Sequence, residues 1–214
     1  SFVIEPGQTA AFVGATGAGK SSILNLIGRY YDIQKGAIRI DGTDIRALSR
    51  KQIRRAIGQV QQDVFLFTGD IASNIRLREE SISDEAVERA SREVNAARFI
   101  DWLPDRYASR VTERGATFSA GQRQLLSFAR AILADPRIFV LDEATSSIDT
   151  VTEKLIQDAI EHLMKGRTSF VIAHRLSTIR QADVILVVKD GKIIEQGRHK
   201  DLMKAKGYYY NLYT

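Results

Sequence analysis

The sequence contains no cysteine, which removes disulfides, thiolate catalysis and Cys-ligated zinc together and points to a reducing compartment. Its three histidines, His162, His174 and His199, are too scattered to read as a metal cluster. Long apolar runs are missing as well. The longest purely aliphatic stretch, 184–188, is about five residues, far short of the roughly 20 that a helix needs to cross hydrocarbon. A membrane-spanning helix is therefore excluded from these 214 residues, and any membrane role must come from a partner. The chain starts at Ser1 with no charged-then-apolar leader, so its beginning does not read as a signal peptide. It is expected to be a piece excised from something longer.

What is present has the balance of a soluble globular protein, with 44% apolar and 27% charged residues and 31 Lys plus Arg against 26 Asp plus Glu, a formal charge of +5. A chain of this length can bury roughly 70% of its unfolded surface without staples, as one large domain or one domain with an inserted lobe. Disorder, collagen and coiled coil are excluded. The densest basic cluster is Arg46, Arg50, Lys51, Arg54 and Arg55, where the spacing of Arg46, Arg50 and Arg54 predicts three cations on one helical face. No aromatics are interleaved for base stacking, so the cluster reads as a solvated face and no nucleic-acid partner is expected.

Runs rich in Val, Ile and Phe predict strands at 2–4, 10–13, 37–40, 57–60, 138–141, 169–172, 184–188 and 193–195. Helical patterns fill 20–27, 84–94, 120–133 and 150–164. Strands alternating with helices imply an α/β fold with a mostly parallel sheet covered on both faces. The stretch from about 71 to 135 breaks that alternation, with several helical segments and no convincing strand. It predicts a helical subdomain inserted into a core formed by 1–70 and 136–214. Asp41-Gly42 and Asp190-Gly191 read as hairpin turns.

Gly14, Ala15, Thr16, Gly17, Ala18, Gly19, Lys20 and Ser21 spell GATGAGKS, a full match to the phosphate-binding pattern of glycine, four residues, glycine, lysine and a hydroxyl residue. A predicted strand precedes it, and Ser22, counted with the site, begins the helix behind it. The three glycines let successive N–H groups face inward while the helix adds its positive dipole end. Lys20 would reach the outer phosphates, and the Ser21 hydroxyl would ligate magnesium. Such a site needs a second magnesium holder and a group to position the attacking water. Asp142 and Glu143 follow the predicted strand 138–141, at the carboxyl end where ligands of a parallel sheet lie. Asp142 would hold magnesium through water, and Glu143 would polarise a water in line with the terminal phosphate.

At 118–122 the chain reads FSAGQ, running into RQLLSFARAIL. With the glycine loop before it, VQQD at 60–63, and SSID at 146–149 and His174 after it, this motif order resembles the nucleotide-binding domain of an ABC transporter over essentially the whole chain. The resemblance implies a P-loop NTPase core with a parallel sheet, an antiparallel β portion and an inserted helical subdomain. It also implies a Q-loop placing Gln62 at the magnesium and water, a D-loop at 146–149, and His174 as the switch histidine. Ser119, Ala120, Gly121 and Gln122 would form the signature, whose helix N-terminus makes an anion site. In the family that site closes on ATP held by a second nucleotide-binding domain, identical or different. Two domains then sandwich two nucleotides and separate after hydrolysis. ATP and Mg2+ are the implied ligands.

Within the family, TERGATFSAGQ, with Glu113 before the signature, resembles the exporter-type X-loop, and RYYDIQKGAIRIDG and VIAHRLSTI resemble exporter wording. The resemblance implies an ATP-hydrolysing motor of a multidrug or lipid exporter, on the cytoplasmic face of the cell membrane, with a transmembrane domain fused N-terminally. The fragment alone is expected to be soluble. A soluble ABC-type ATPase acting on DNA or ribosomes is the alternative. The DNA-repair type carries a long coiled coil for which this chain has no room, and the translation type usually has two domains in tandem. A small-molecule kinase would leave the signature, Gln62 and His174 without jobs.

Two departures matter. The signature carries Ala120 where the family usually has glycine, and a methyl group there is expected to restrict the backbone or crowd the partner's phosphate. Some heterodimeric exporters resemble this pattern. The family also places an adenine-stacking aromatic some 20 residues before the point where this sequence begins. Stacking contributes on the order of 1–3 kcal/mol. Calorimetry is therefore expected to show ATP binding this stretch roughly 5- to 150-fold more weakly than a version extended upstream; equal affinities would refute that expectation.

Overall fold

A computed structural model of the protein describes residues 1–61, 64–77, 79–142, 148–173 and 176–213. Its strands are β1 (Thr9–Val13), β2 (Arg39–Ile40), β3 (Thr43–Asp44), β4 (Ile57–Val60), β5 (Gly69–Asp70), β6 (Arg110–Val111), β7 (Ile138–Asp142), β8 (Thr168–Ile172), β9 (Val184–Lys189) and β10 (Lys192–Gly197). Its helices are α1 (Lys20–Ile27), α2 (Arg50–Ala56), α3 (Ile71–Arg76), α4 (Asp84–Glu93), α5 (Ala97–Ile100), α6 (Ala120–Leu133), α7 (Thr150–Met164), α8 (Leu176–Gln181), α9 (His199–Ala205) and α10 (Tyr208–Tyr213). The chain forms two compact units: one of Ser1–Gln59, Pro136–Ala144 and Gly166–Thr214, the other of Val60–Asp135 and Thr145–Lys165.

The first unit is built on a six-stranded sheet in the order β10-β9-β1-β8-β7-β4. β1 runs parallel to both β8 and β9, β7 parallel to β8, and β10 antiparallel to β9. The expected mixed sheet is thus present. Ala10–Val13, Phe139–Leu141, Phe170–Ile172 and Ile185–Val188 are buried without alternation, as strands covered on both faces must be. At its N-terminal end β1 is locked to the chain before β9, since Asp183 accepts from the Thr9 N–H at 2.9 Å and its own amide donates to Thr9 O at 3.0 Å.

Residues 2–4 form no strand. Phe2 instead packs edge-on against Phe12 at 5.9 Å, and Ile4 also lies on the core, so their alternating apolar side chains are partly buried without a ladder. The predicted single face of Arg46, Arg50 and Arg54 is broken too. Arg46 lies in a short 3-10 turn paired with Asp44 at 2.7 Å, while Ser49 caps α2 in a reciprocal box with Gln52. The cap starts a new helix between the two segments.

The C-terminal helices hang on the β9–β10 hairpin. Glu195 of β10 accepts from the backbone N–H groups of Tyr208 and Tyr209 at 2.5 and 3.0 Å, which places a carboxylate at the positive end of α10. Tyr209 is fully buried, with its hydroxyl 2.7 Å from His199 Nδ1, and Lys189 lies 5.1 Å above the Tyr208 ring.

The second unit is organised by α6, whose Leu125, Leu126, Phe128, Ala129 and Ile132 are buried and which packs against α3, α4 and α7. The antiparallel pair β5 and β6 lies here, β6 falling within 71–135 where no strand was expected. At two residues each, these strands are too short to carry an alternation. Asp70, Ser83, Ser119 and Asp149 cap α3, α4, α6 and α7. Buried Asn74 accepts from Phe67 N and donates to the carbonyls of Phe67 and Asp70, all within 2.9 Å. Arg130 of α6 donates to Asn74 O and Phe65 O at 3.1 and 3.2 Å. Replacing Glu195 with Ala removes both acceptors of α10 and is expected to lower stability by about 1–3 kcal/mol, read as a shift of the denaturation midpoint; an unchanged midpoint would show that α10 is held by its tyrosines alone.

Candidate functional site

β1 delivers the chain to Gly14 beside β9, and there the backbone has no room for a side chain: a Cβ at Gly14 (φ 148°) would lie 2.1 Å from Val188 O. The loop turns over through Ala15, Thr16 and Gly17, all exposed, with Ala18 N donating to Ala15 O at 3.1 Å. Gly17 and Gly19 take φ of 81° and 102°, a region in which side chains are strained. Gly19 caps α1 without a side-chain hydrogen bond, and among the described residues no side chain bonds the amides of that first turn. α1 thus opens with N–H groups that no described side chain caps and with its positive dipole end behind a glycine cradle, the geometry of an anion site.

Lys20 is 8% exposed, and its ammonium donates to Gly14 O at 2.7 Å and Ala15 O at 2.9 Å. Burial pulls its pKa below the ordinary lysine value, with the nearby Asp142 carboxylate opposing that shift. Asp142 ends β7, two strands from β1. Ile172 of β8 is paired with both Phe12 and Asp142, so the carboxyl ends of the three parallel strands are level. From α1, exposed Ser21 donates to Asp142 Oδ2 at 3.2 Å, and Ser22 is exposed beside it. The first unit therefore brings Gly14 to Ser22 and Asp142 together. Glu143, His174 and Gln62 lie outside the described residues, as do Asp63, Ser146 and Ser147.

The donor set fits a magnesium polyphosphate. Positive-φ glycines form a cradle, Gly17 has open space where a Cβ would stand, and a hydroxyl and a carboxylate oxygen, both hard ligands, sit together at its edge. Magnesium is usually held by one or two carboxylates plus substrate phosphates, without an all-protein cage.

In the second unit Ser119 caps α6 through a reciprocal box: its Oγ accepts from Gln122 N at 3.2 Å, and Gln122 Oε1 accepts from Ser119 N at 2.9 Å. Ala120 and Gly121 occupy the first turn, where amides have no intrahelical acceptor. Ala120 is helical, exposed and absent from the positive-φ positions, so the expected backbone restriction by its methyl group does not arise. Gly121 is the constrained position: a Cβ there would lie 2.3 Å from Thr152 Cγ2 of α7. Asp149 caps α7 by accepting from Thr152 N at 2.9 Å, a bond that lowers its pKa. Beside the signature lies a hollow of about 500 Å³ lined in part by Arg98, Phe99, Trp102, Ser119, Gln122 and Asp149. Sequence reasoning passed over Arg98 and Trp102, although the chain has a single tryptophan and it is 89% exposed.

Residues 1–146 match the ABC transporter family. The chain belongs to that family. This ABC domain is 52% identical over 212 residues to the uncharacterized ABC transporter ATP-binding protein YfiC of Bacillus subtilis, an alignment covering 99% of the domain and 35% of the relative. It is 52% identical over 213 residues to a fatty acid ABC transporter ATP-binding/permease protein of Mycobacterium tuberculosis (99% and 34%), and 47% identical over 211 residues to an ATP-dependent lipid A-core flippase of Desulfotalea psychrophila (99% and 37%). The domain spans only 32–37% of the curated relatives it matches. Several of these relatives are ATP-binding or ATP-binding/permease proteins by name. Among the described residues no helix is long and apolar enough to cross a membrane.

The glycines of the loop are not equivalent. Gly14→Ala drives a methyl group into the β9 backbone and is expected to cost more than about 2 kcal/mol, whereas Gly17→Ala meets open space and costs about 1 kcal/mol through φ alone. Denaturant titration of the two variants checks this, and equal losses would contradict it.

Proposed function

We propose that this ABC domain binds Mg-ATP at Gly14 to Ser22 and hydrolyses it, within a closed pair of such domains, to drive export by a membrane domain. The observation that carries the reading is the glycine cradle with Lys20 held over it and Ser21 in contact with Asp142. In this reading the Lys20 ammonium exchanges its two carbonyl acceptors for oxygens of the outer phosphates. Ser21, Asp142 and Gln62 hold magnesium, which when bound neutralises charge developing on the phosphates. Glu143 orients a water and takes its proton as the water oxygen bonds the terminal phosphorus and the bond to ADP breaks. His174 holds the terminal phosphate in line. Ser119, Ala120, Gly121 and Gln122 of the second domain approach the same nucleotide from the other side with first-turn amides.

The membrane partner is supported by the permease part of relatives such as the fatty acid transporter. It is supported as well by the aromatic pair Phe65 and Phe67, 51% and 44% exposed and 5.0 Å apart edge-on, which Asn74 and Arg130 hold in place. Exposed aromatics on fixed backbone suit a docking surface. The reading puts the domain on the cytoplasmic face of the membrane, and the second ATP-binding domain is either a copy or a homologue.

Glu143→Gln keeps the ligand geometry while removing the base. It is expected to slow hydrolysis at least about 100-fold and to trap an ATP-dependent dimer on size exclusion. A variant that hydrolyses ATP at the parental rate, or shows no dimer, overturns the reading; a kinase would give no dimer. An upstream coding sequence without about six hydrophobic spans would sink the exporter assignment.

A further inference from the structure

Asp190-Gly191 has the look of an ordinary hairpin turn, and the conformation agrees, with φ of 49° and 73° at the two residues, the positive pair that a tight two-residue hairpin requires. Its hydrogen bonding is not ordinary. The Gly191 N–H donates across to Ala18 O in the glycine loop at 2.9 Å. Next to Ala18, a Cβ built on Gly19 would come 3.5 Å from Gly191 Cα, so turn and loop are packed backbone to backbone. The loop's other end meets the same hairpin, because Gly14 lies against Val188 O. Residues 188–191 thus grip the loop at Gly14 and again at Ala18 and Gly19, leaving Ala15, Thr16 and Gly17 exposed between the two holds.

A loop with three glycines at positive φ is intrinsically loose, and each residue left free to wander adds ordering entropy to the cost of binding. An outside brace that fixes the loop beforehand removes part of that cost. The hairpin is suited to the task. β9 is paired with β1 up to Val13↔Val187, and β10 is tied by Glu195 to α10. We propose that the Asp190–Gly191 turn is a positioning element for the phosphate loop, setting the stance of Ala18 and Gly19 and so the aim of the first-turn amides of α1. This rests on the reading that ATP binds at Gly14 to Ser22.

Inserting two glycines between Asp190 and Gly191 in the full-length protein carries the Gly191 N–H away from Ala18 while leaving the Lys189↔Lys192 pairing available to close a longer loop. The expected result is ATP affinity weakened about 5- to 10-fold, the weight of one backbone hydrogen bond and some lost order. KM should rise by the same factor with kcat changed less than about twofold. Unaltered affinity, or a loss confined to kcat, overturns the proposal. Should the insertion fail to fold, amide exchange in the unaltered protein decides: saturating ATP slows exchange at Gly191 if the turn braces the loop, and an unchanged rate overturns it. Lys20→Ala separates the two layers. If that variant loses ATP binding while the insertion binds normally, only the brace fails; if Lys20→Ala binds ATP like the parent, the reading of the loop fails and the brace with it.

Discussion

The constraint on which the rest of this ABC domain depends is the absence of space at Gly14. Because Val188 O occupies the place where a side chain would begin, the chain leaving β1 can run hard against β9 before it turns. That early turn carries the loop over the carboxyl edge of the sheet and starts α1 where Ser21 reaches Asp142. The parallel register does the complementary part, since Ile172 levels Phe12 with Asp142 across one intervening strand. A loop displaced by even one methyl group would separate the hydroxyl from the carboxylate, because the contact between them is a single hydrogen bond at 3.2 Å.

The two units prepare helix N-termini by different devices. α1 is capped by a glycine with no side-chain acceptor, so its first amides stay open toward the loop. α6 is capped by Ser119 and Gln122, which satisfy one another, with Ala120 and Gly121 in a first turn whose amides have no intrahelical acceptor. A capped end is rigid, and a bare end needs rigidity from outside, which the β9–β10 hairpin is positioned to supply. The same comparison explains why Ala120 is tolerated where Gly121 is not replaceable: one methyl group points to open surface, the other would enter α7.

The strands of the sheet and the longer helices were legible because burial on both faces, or on one stripe, leaves continuous or periodic apolar runs. The short helices α3, α5, α8, α9 and α10 carry too few turns for periodicity to show. Residues 2–4 misled because burying alternate side chains does not require a neighbouring strand. Arg46 misled because an i,i+4 spacing says nothing about a serine cap between its members. At the candidate site, residue types and motif order were legible down to Ser21 and Asp142. The hairpin brace was not, since Gly191 N and Ala18 O are brought together by pairing through β1 and β9 and no local pattern marks it. Glu143, His174 and Gln62 are proposed from motif order alone.

Charge shows how misleading composition can be about chemistry. The excess of five positive charges is displayed mainly by exposed side chains such as Arg50, Lys51, Arg54 and Arg55, where water and salt already satisfy them. Lys20 is the buried lysine among the described residues, and it is held by two neutral carbonyls with a carboxylate nearby. A buried cation with no direct counter-ion among the described residues is under-compensated by them, and burial lowers its pKa. The open amides of α1 add positive potential at the same place. An anion entering the cradle relieves both at once, and one bearing several charges relieves them more than one bearing a single charge. In the proposed reading, polyphosphate binding draws on that balance at Lys20 and not on the exposed basic cluster.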